Sequence, residues 1–134
     1  MDCKLIQFSQ KGDERGSLIV LESQKEIPFD IKRVFYMLNT TKGTVRGQHA
    51  NRYSDFVLVN IRGQVTIHTH DGINETSYVL DKPDEGIYIP HMIWKEMSNF
   101  SEDSILLVLS NMPYQEHEYL RDFESFKFEV NRHA

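Results

Sequence analysis

Residues 56–80 read FVLVNIRGQVTIHTHDGINETSYVL, and the fold turns on this stretch. It holds three short runs rich in valine, isoleucine, threonine and aromatics: Phe56 to Ile61, Val65 to His70 and Thr76 to Leu80. Such residues pack well on a pleated surface, and the runs have the length of strands. Between them lie Arg62-Gly63 and Asp71-Gly72, where glycine supplies the positive φ that a tight reversal needs. Three consecutive strands in a meander are therefore expected. In the middle run Val65 and Ile67 take one face while Thr66, His68 and His70 take the other, which assigns the two histidines to the solvent side.

The same texture continues in both directions. Upstream, Lys4 to Phe8, Ser17 to Leu21, Arg33 to Leu38 and Arg46 to Ala50 read as strands; downstream, so do Gly86 to Ile89, Ile93 to Met97 and Ser104 to Leu109. Lys11-Gly12-Asp13, Thr41-Lys42-Gly43, Lys82-Pro83-Asp84-Glu85 and Ser101-Glu102-Asp103 supply turns. Helical periodicity is nearly absent. Only Tyr114 to Phe126, with Tyr119, Leu120, Phe123 and Phe126 at mixed spacings of three and four, suggests a short amphipathic helix or an irregular cap whose aromatics serve packing. The expectation is an all-β sandwich or barrel of the jelly-roll kind, forming one domain over residues 1–134 with no linker to divide it.

Composition narrows the function. The single cysteine, Cys3, cannot form an internal disulfide, as expected of a protein in a reducing compartment. The amino terminus lacks a basic region followed by an apolar core, and no apolar run approaches the length of a membrane span, so a soluble, cytoplasmic protein is expected. A net charge of -5 with acids and bases interleaved offers no basic stripe for nucleic acid. An anionic ligand would have to meet a few local cations.

Val45-Arg46-Gly47-Gln48-His49-Ala50-Asn51 is the most informative segment for chemistry. Strand alternation puts Val45, His49 and Asn51 on one face, with Gly47 leaving space between them. Pointing into a barrel beside Arg46, His49 reads as a general base near an anion or oxyanion holder; on spacing alone the commoner case is a core histidine bonded to a neighbour. A metal centre would want a second histidine and a glutamate close by. Asn51 followed by Arg52-Tyr53-Ser54-Asp55 supplies neither, so no catalytic metal is expected. Arg15, Arg33, Arg46 and Lys95 are the candidate cations for a diphosphate, and Tyr36 and Trp94 the candidate flat faces for a base or sugar ring. No glycine-rich phosphate loop, nucleophile elbow or cysteine-histidine arrangement is present.

Several blocks together resemble the sugar 3,4-ketoisomerases known as FdtA and QdtA. They are Arg15-Gly16-Ser17-Leu18, the run from Ile27 to Tyr36, Arg46-Gly47-Gln48-His49-Ala50-Asn51, Trp94-Lys95-Glu96-Met97, Leu107-Val108-Leu109-Ser110 and the closing Tyr114 to Phe123. The resemblance runs from about Leu5 to Phe126. It implies a cupin barrel, a homodimer that exchanges amino-terminal strands, and no cofactor. It also implies an enzyme of deoxyamino-sugar biosynthesis, as used for surface polysaccharides. Such an enzyme converts dTDP-linked 4-keto-6-deoxyglucose into a 3-keto isomer by moving a proton between C3 and C4.

In the motif Arg-Gly-x-His-Ala-His of that family, His49 matches the first histidine and Arg46 the arginine. Two positions depart from it: the second histidine is Asn51, and the residue after the tryptophan, often histidine or arginine, is Lys95. An amide can hold a substrate oxygen but cannot titrate, so a relay between the sugar oxygens would pass through water, Tyr53, Lys95 or the substrate itself. The same segment echoes the sugar 3,5-epimerases, whose motif continues with an amide. A nucleotide-sugar-binding cupin without turnover is the reading from a different class.

Overall fold

In a computed structural model, described over residues 2–132, two five-stranded antiparallel sheets face each other as a jelly-roll barrel. The strands are β1 (Lys4–Gln7), β2 (Gln10–Asp13), β3 (Gly16–Ile19), β4 (Arg33–Leu38), β5 (Arg46–Asn51), β6 (Phe56–Arg62), β7 (Val65–His70), β8 (Glu75–Leu80), β9 (Glu85–Ile89), β10 (Trp94–Ser98), β11 (Ile105–Ser110) and β12 (Tyr119–Leu120). One sheet has the order β1-β9-β6-β11-β4 and the other β12-β5-β10-β7-β8; β2 and β3 form a separate hairpin. A helix, α1 (Phe123–Arg132), follows. No helix among the described residues is long and apolar enough to cross a membrane.

The expected meander is half right. β7 and β8 pair from Val65↔Leu80 to His70↔Glu75, but β6 pairs with β9 and β11 in the opposite sheet. Arg62-Gly63 is thus a corner between sheets. The residues explain this: Phe56 to Asn60 are buried without alternation, as a central strand covered on both faces requires, whereas Val65, Ile67 and Thr69 alternate with partly exposed neighbours. At the corner Gly63 has φ +73°, and a Cβ there would stand 2.1 Å from Ser101 Oγ. Ser101 Oγ accepts from Gln64 N at 2.8 Å, so the turn between β10 and β11 locks the corner.

Two further boundaries differ. Lys11-Gly12-Asp13 lies within β2, and the reversal falls at Glu14-Arg15, where Asp13 Oδ1 accepts from Arg15 N at 2.8 Å. The carboxy-terminal segment is not one helix from Tyr114: a 3-10 turn and β12 come first, and α1 begins only after Asp122. Asp122 caps it by accepting from Ser125 N and Oγ at 2.9 and 2.8 Å.

Apolar packing occurs in three places. Between the sheets, Phe56, Leu58, Val65, Ile67, Leu80, Ile87, Leu106 and Val108 form the main core. Behind the first sheet, Val57, Val59, Tyr88 and Leu109 are covered by Phe8, Ile27 and Phe29. Behind the second, Trp94, Ala50 and Leu120 lie under Phe126 of α1. Each fully buried aliphatic side chain contributes about 1.5–3 kcal/mol.

A bulge in β5 sets the interior. His49 pairs with Lys95 and Gly47 with Glu96, which leaves Gln48 without a partner. Gly47 and Gln48 adopt φ +83° and +57°. A Cβ at Gly47 would lie 2.9 Å from Met97 Sδ and 3.0 Å from Lys95 O, so glycine is needed for both reasons. The extra residue shifts the alternation by one. Regular pleating would point Arg46 away from His49; the bulge turns both toward the same interior.

Candidate active site

A cavity of about 270 Å³ opens between the sheets at the bulge. Apolar walls come from Phe35 and Met37 of β4, Phe56 and Leu58 of β6, Met97 of β10 and Val108 of β11. Its polar groups are Arg46 and His49 from β5, Lys95 from β10, and Tyr119 and Arg121 from the closing segment.

His49 Nδ1 lies 3.0 Å from the carbonyl oxygen of Gly47. A carbonyl only accepts, so Nδ1 carries the proton and Nε2 keeps its lone pair, the tautomer of a general base. The Tyr119 ring packs against the imidazole with centroids 4.8 Å apart and planes at 58°. Burial and then the charge of Lys95 push the affinity of His49 for a proton down to about 3, so the ring is neutral near pH 7.

Lys95 is only 3% exposed. Its Nζ donates to Asn51 Oδ1 at 2.9 Å and sits 4.3 Å from the centroid of the Phe56 ring. Burial lowers its pKa to about 7, against the opposing pull of Glu118. Glu118 is completely buried and accepts from Ser54 Oγ at 2.5 Å, Ser54 N at 2.9 Å and Tyr53 N at 3.0 Å. Burial alone would raise its pKa, but these hydrogen bonds prevail and hold the carboxyl below its usual range. Asn51 stands between the two charges. Its Nδ2 also favours the Glu118 carboxylate without completing a hydrogen bond.

Of the other residues singled out from sequence, Arg33 lies nearby. Its guanidinium is 5.3 Å from the Phe35 ring, 5.8 Å from Phe56 and 5.7 Å from Tyr114, and its Nε and Nη2 are buried with no hydrogen-bond partner. Neither Arg33 nor Asn51 lines the cavity itself, and four further residues do not border it either. Trp94 points to the outer face of its sheet, packs on Phe123 and Phe126 and donates Nε1–H to Glu96 Oε2 at 2.9 Å, because it alternates with the inward Lys95. Tyr36 is 63% exposed on the outer face of β4, where it alternates with Phe35 and Met37. Tyr53 is exposed in the loop after β5. Arg15 sits at the tip of the β2–β3 hairpin, paired with Asp13 at 2.6 Å.

Three residues escaped the sequence reading: Tyr119, Arg121 and Glu118. Tyr119-Leu120-Arg121 does carry a signal, since alternation puts Leu120 on one face and the two polar residues on the other. Assigning the aromatics of the segment to packing hid it. Among the described residues, no three histidine, cysteine or carboxylate side chains converge as a metal ligand set.

Comparison with known proteins gives consistent likenesses. The FdtA family, described as WxcM-like, C-terminal, matches residues 1–131. A TDP-4-oxo-6-deoxy-alpha-D-glucose-3,4-oxoisomerase of Aneurinibacillus thermoaerophilus is 39% identical over 95% of this chain and 91% of its own. A 3,4-ketoisomerase from Helicobacter canadensis has a crystal structure that superposes with a TM-score of 0.94 at 44% identity, covering 98% of both chains. A point mutant of the ketoisomerase QdtA from Thermoanaerobacterium thermosaccharolyticum, solved in complex with TDP-4-keto-6-deoxyglucose, matches with a TM-score of 0.94 at 34% identity. That match covers 97% of this chain and 94% of the other.

The buried ammonium has a measurable consequence. Unfolded Lys95 holds its proton up to about 10.5 and the folded residue releases it at about 7, so across that interval the unfolded state binds more protons and stability rises with pH. We expect the stability of the wild type relative to Lys95→Met, measured by chemical denaturation, to rise by at least about 1 kcal/mol between pH 7 and 10. Parallel pH profiles for the two proteins would contradict the assignment of a buried, titrating amine.

Proposed function

The chain belongs to the FdtA family of WxcM-like C-terminal domains, and on that premise we propose that it is a 3,4-ketoisomerase acting on dTDP-4-keto-6-deoxyglucose. The observation that carries this reading is the neutral His49, its Nε2 unprotonated, in a largely apolar cavity ringed by Arg46, Lys95 and Arg121. The relatives at 34–44% identity named above are oxo- or ketoisomerases, which favours this reaction over 3,5-epimerisation and over binding without turnover.

The C4 carbonyl acidifies the hydrogen at C3. His49 removes that proton and becomes imidazolium, while the electrons form a C3–C4 double bond and leave negative charge on O4. The imidazolium that Lys95 disfavours before reaction gains a negative neighbour at the moment it forms, so the two charges develop together. Arg46 and Lys95 stabilise the enediolate. Transfer of the O3 proton to O4 and delivery of a proton to C4 complete the move of the carbonyl to C3. Asn51 cannot relay a proton; Lys95, whose pKa lies near 7, can. No step calls for a cofactor or a metal, and the ammonium beside His49 and Asn51 repels a cation.

Substrate binding is assigned to cations at the cavity. The unpaired, buried donors of Arg33 suit a diphosphate oxygen, and Arg46, which lines the cavity, is the second candidate. Arg15 reaches a site only in a homodimer with exchanged amino-terminal strands, and two features support such an assembly. The β2–β3 hairpin stands apart from both barrel sheets with Leu18 exposed, and the edge strand β4 presents Val34, Tyr36 and Leu38 to solvent. A nucleotide-linked substrate and an unpaired Cys3 fit a cytoplasmic enzyme of deoxyamino-sugar biosynthesis.

We expect His49→Asn to bind dTDP with near wild-type affinity and to turn over dTDP-4-keto-6-deoxyglucose at least about 100-fold more slowly, as loss of a general base requires. Turnover at an unchanged rate would remove His49 from the mechanism. Light scattering in solution should give twice the monomer mass of 15.8 kDa. A monomer that retains activity would exclude the exchanged dimer.

A further inference from the structure

Resting on the ketoisomerase reading above, we infer that Asn51 is a positioning residue that does not touch the sugar: the buried carboxylate of Glu118 orients its amide, and the amide oxygen holds the Lys95 ammonium facing the cavity. Asn51 is 1% exposed and lies outside the cavity lining, to which Lys95 belongs. Its backbone is pinned on both sides, by pairing with Tyr119 of β12 and by its carbonyl oxygen, which accepts from Met92 N at 2.7 Å. A side chain so placed works through its neighbours.

The amide has two ends of nearly the same shape, and charge decides which way they point. An ammonium only donates, so Lys95 Nζ takes the oxygen, Oδ1, at 2.9 Å. Nδ2 then faces Glu118, where it favours the carboxylate but is buried without a hydrogen-bond partner. Turning the amide over would set hydrogens against the ammonium and a lone pair against the carboxylate, a cost at both ends. Glu118 cannot follow such a turn, because Ser54 Oγ, Ser54 N and Tyr53 N all donate to it. Those donors come from the loop that follows Asn51, so β5 and its own loop fix the carboxylate that the closing segment brings.

Lys95 has three donors and gives one to Asn51, while its charge rests over the Phe56 ring at 4.3 Å. The others remain for an oxygen in the cavity, where the negative charge of the enediolate develops. The charged and titratable groups that bear on Lys95 are Glu118 of the closing segment, Cys3 before β1, Arg33 of β4 and His49 of β5, and Arg46 and Arg121 line the same cavity. Glu96, next along β10, and His68 and His70 of the neighbouring β7 lie on the outer face with Trp94. Burial keeps Cys3 a thiol at neutral pH, so Glu118 is the one anion among the groups that bear on Lys95. Its charge, passed on by an amide of fixed orientation, supports the proton of Lys95 against burial.

Two measurements on the full chain test this: carbon NMR of isotope-labelled lysine, which follows the Lys95 titration whether or not a sugar is turned over, and steady-state kinetics with dTDP-4-keto-6-deoxyglucose. The midpoint of about 7 in the wild type should fall by about one pH unit in Glu118→Gln, whose amide can still bond Ser54 and Tyr53. Because the ammonium is the active form, the fall of kcat/KM at high pH should move down with it. Asn51→Leu should lower kcat by about tenfold or more, the scale of a lost hydrogen bond to a charged group, with KM within about twofold of wild type. In a Lys95→Met background the same change should cost less than about twofold further. Thermal melts check folding, and if Asn51→Leu does not fold, Glu118→Gln decides. An unmoved midpoint in Glu118→Gln, a raised KM with unchanged kcat in Asn51→Leu, or an undiminished effect of Asn51→Leu beside Lys95→Met overturns the inference. A wild type that leaves the keto sugar unchanged overturns the ketoisomerase reading instead, and a midpoint that still moves upholds the coupling of Glu118 to Lys95.

Discussion

The arrangement depends on one buried charge. An ammonium removed from water is costly unless polar groups replace its hydration, and in this barrel Lys95 has a single hydrogen bond, to Asn51, and one aromatic face, Phe56. The compensation is completed at longer range by Glu118, fixed by Ser54 and the Tyr53 amide on the far side of Asn51. That carboxylate comes from the closing segment, so β12 and α1 cannot dock correctly without completing the electrostatics of the site. The same bonds hold the loop after β5, and the partial compensation leaves Lys95 near its titration point at neutral pH.

The bulge in β5 is the geometric counterpart. It reverses the alternation between Arg46 and His49 and uses the carbonyl of Gly47 to fix the imidazole tautomer. A guanidinium and an imidazole then face one small volume from a single strand. Regular pleating would turn Arg46 to the face opposite His49. Backbone conformations that disfavour side chains, at Gly47 and at Gln48, are retained where they orient the His49 imidazole.

Much of the fold was readable because strand sequences carry their own environment. The alternation in Val65 to His70 and the apolar run Phe56 to Asn60 were both visible, yet only the first was used for what it implied: the run required a strand covered on both faces, which places β6 and β7 in different sheets. His49, Arg46, Asn51 and Lys95 were accessible from the motif and do come together. Trp94 and Tyr36 were chosen for their flat rings, and strand alternation next to the inward Lys95 and Phe35 would have turned both outward. Glu118 could not be found from spacing, because its role depends on Ser54 and Asn51, more than sixty residues away in the chain. Tyr119 and Arg121 were hidden because the aromatics of a helix or irregular cap were assigned to packing, whereas two residues of strand precede the helix and turn both side chains to the cavity.

Movement of a proton between C3 and C4 of the sugar is the step on which the function rests. It is tested most directly by proton NMR of dTDP-4-keto-6-deoxyglucose incubated with the protein in deuterated water. The carbonyl should appear at C3 and C4 should acquire a hydrogen isotope from solvent or from C3, with C5 unlabelled. A carbonyl that stays at C4 while C3 and C5 both exchange would contradict it and indicate an epimerase, and an unchanged sugar would indicate binding without catalysis.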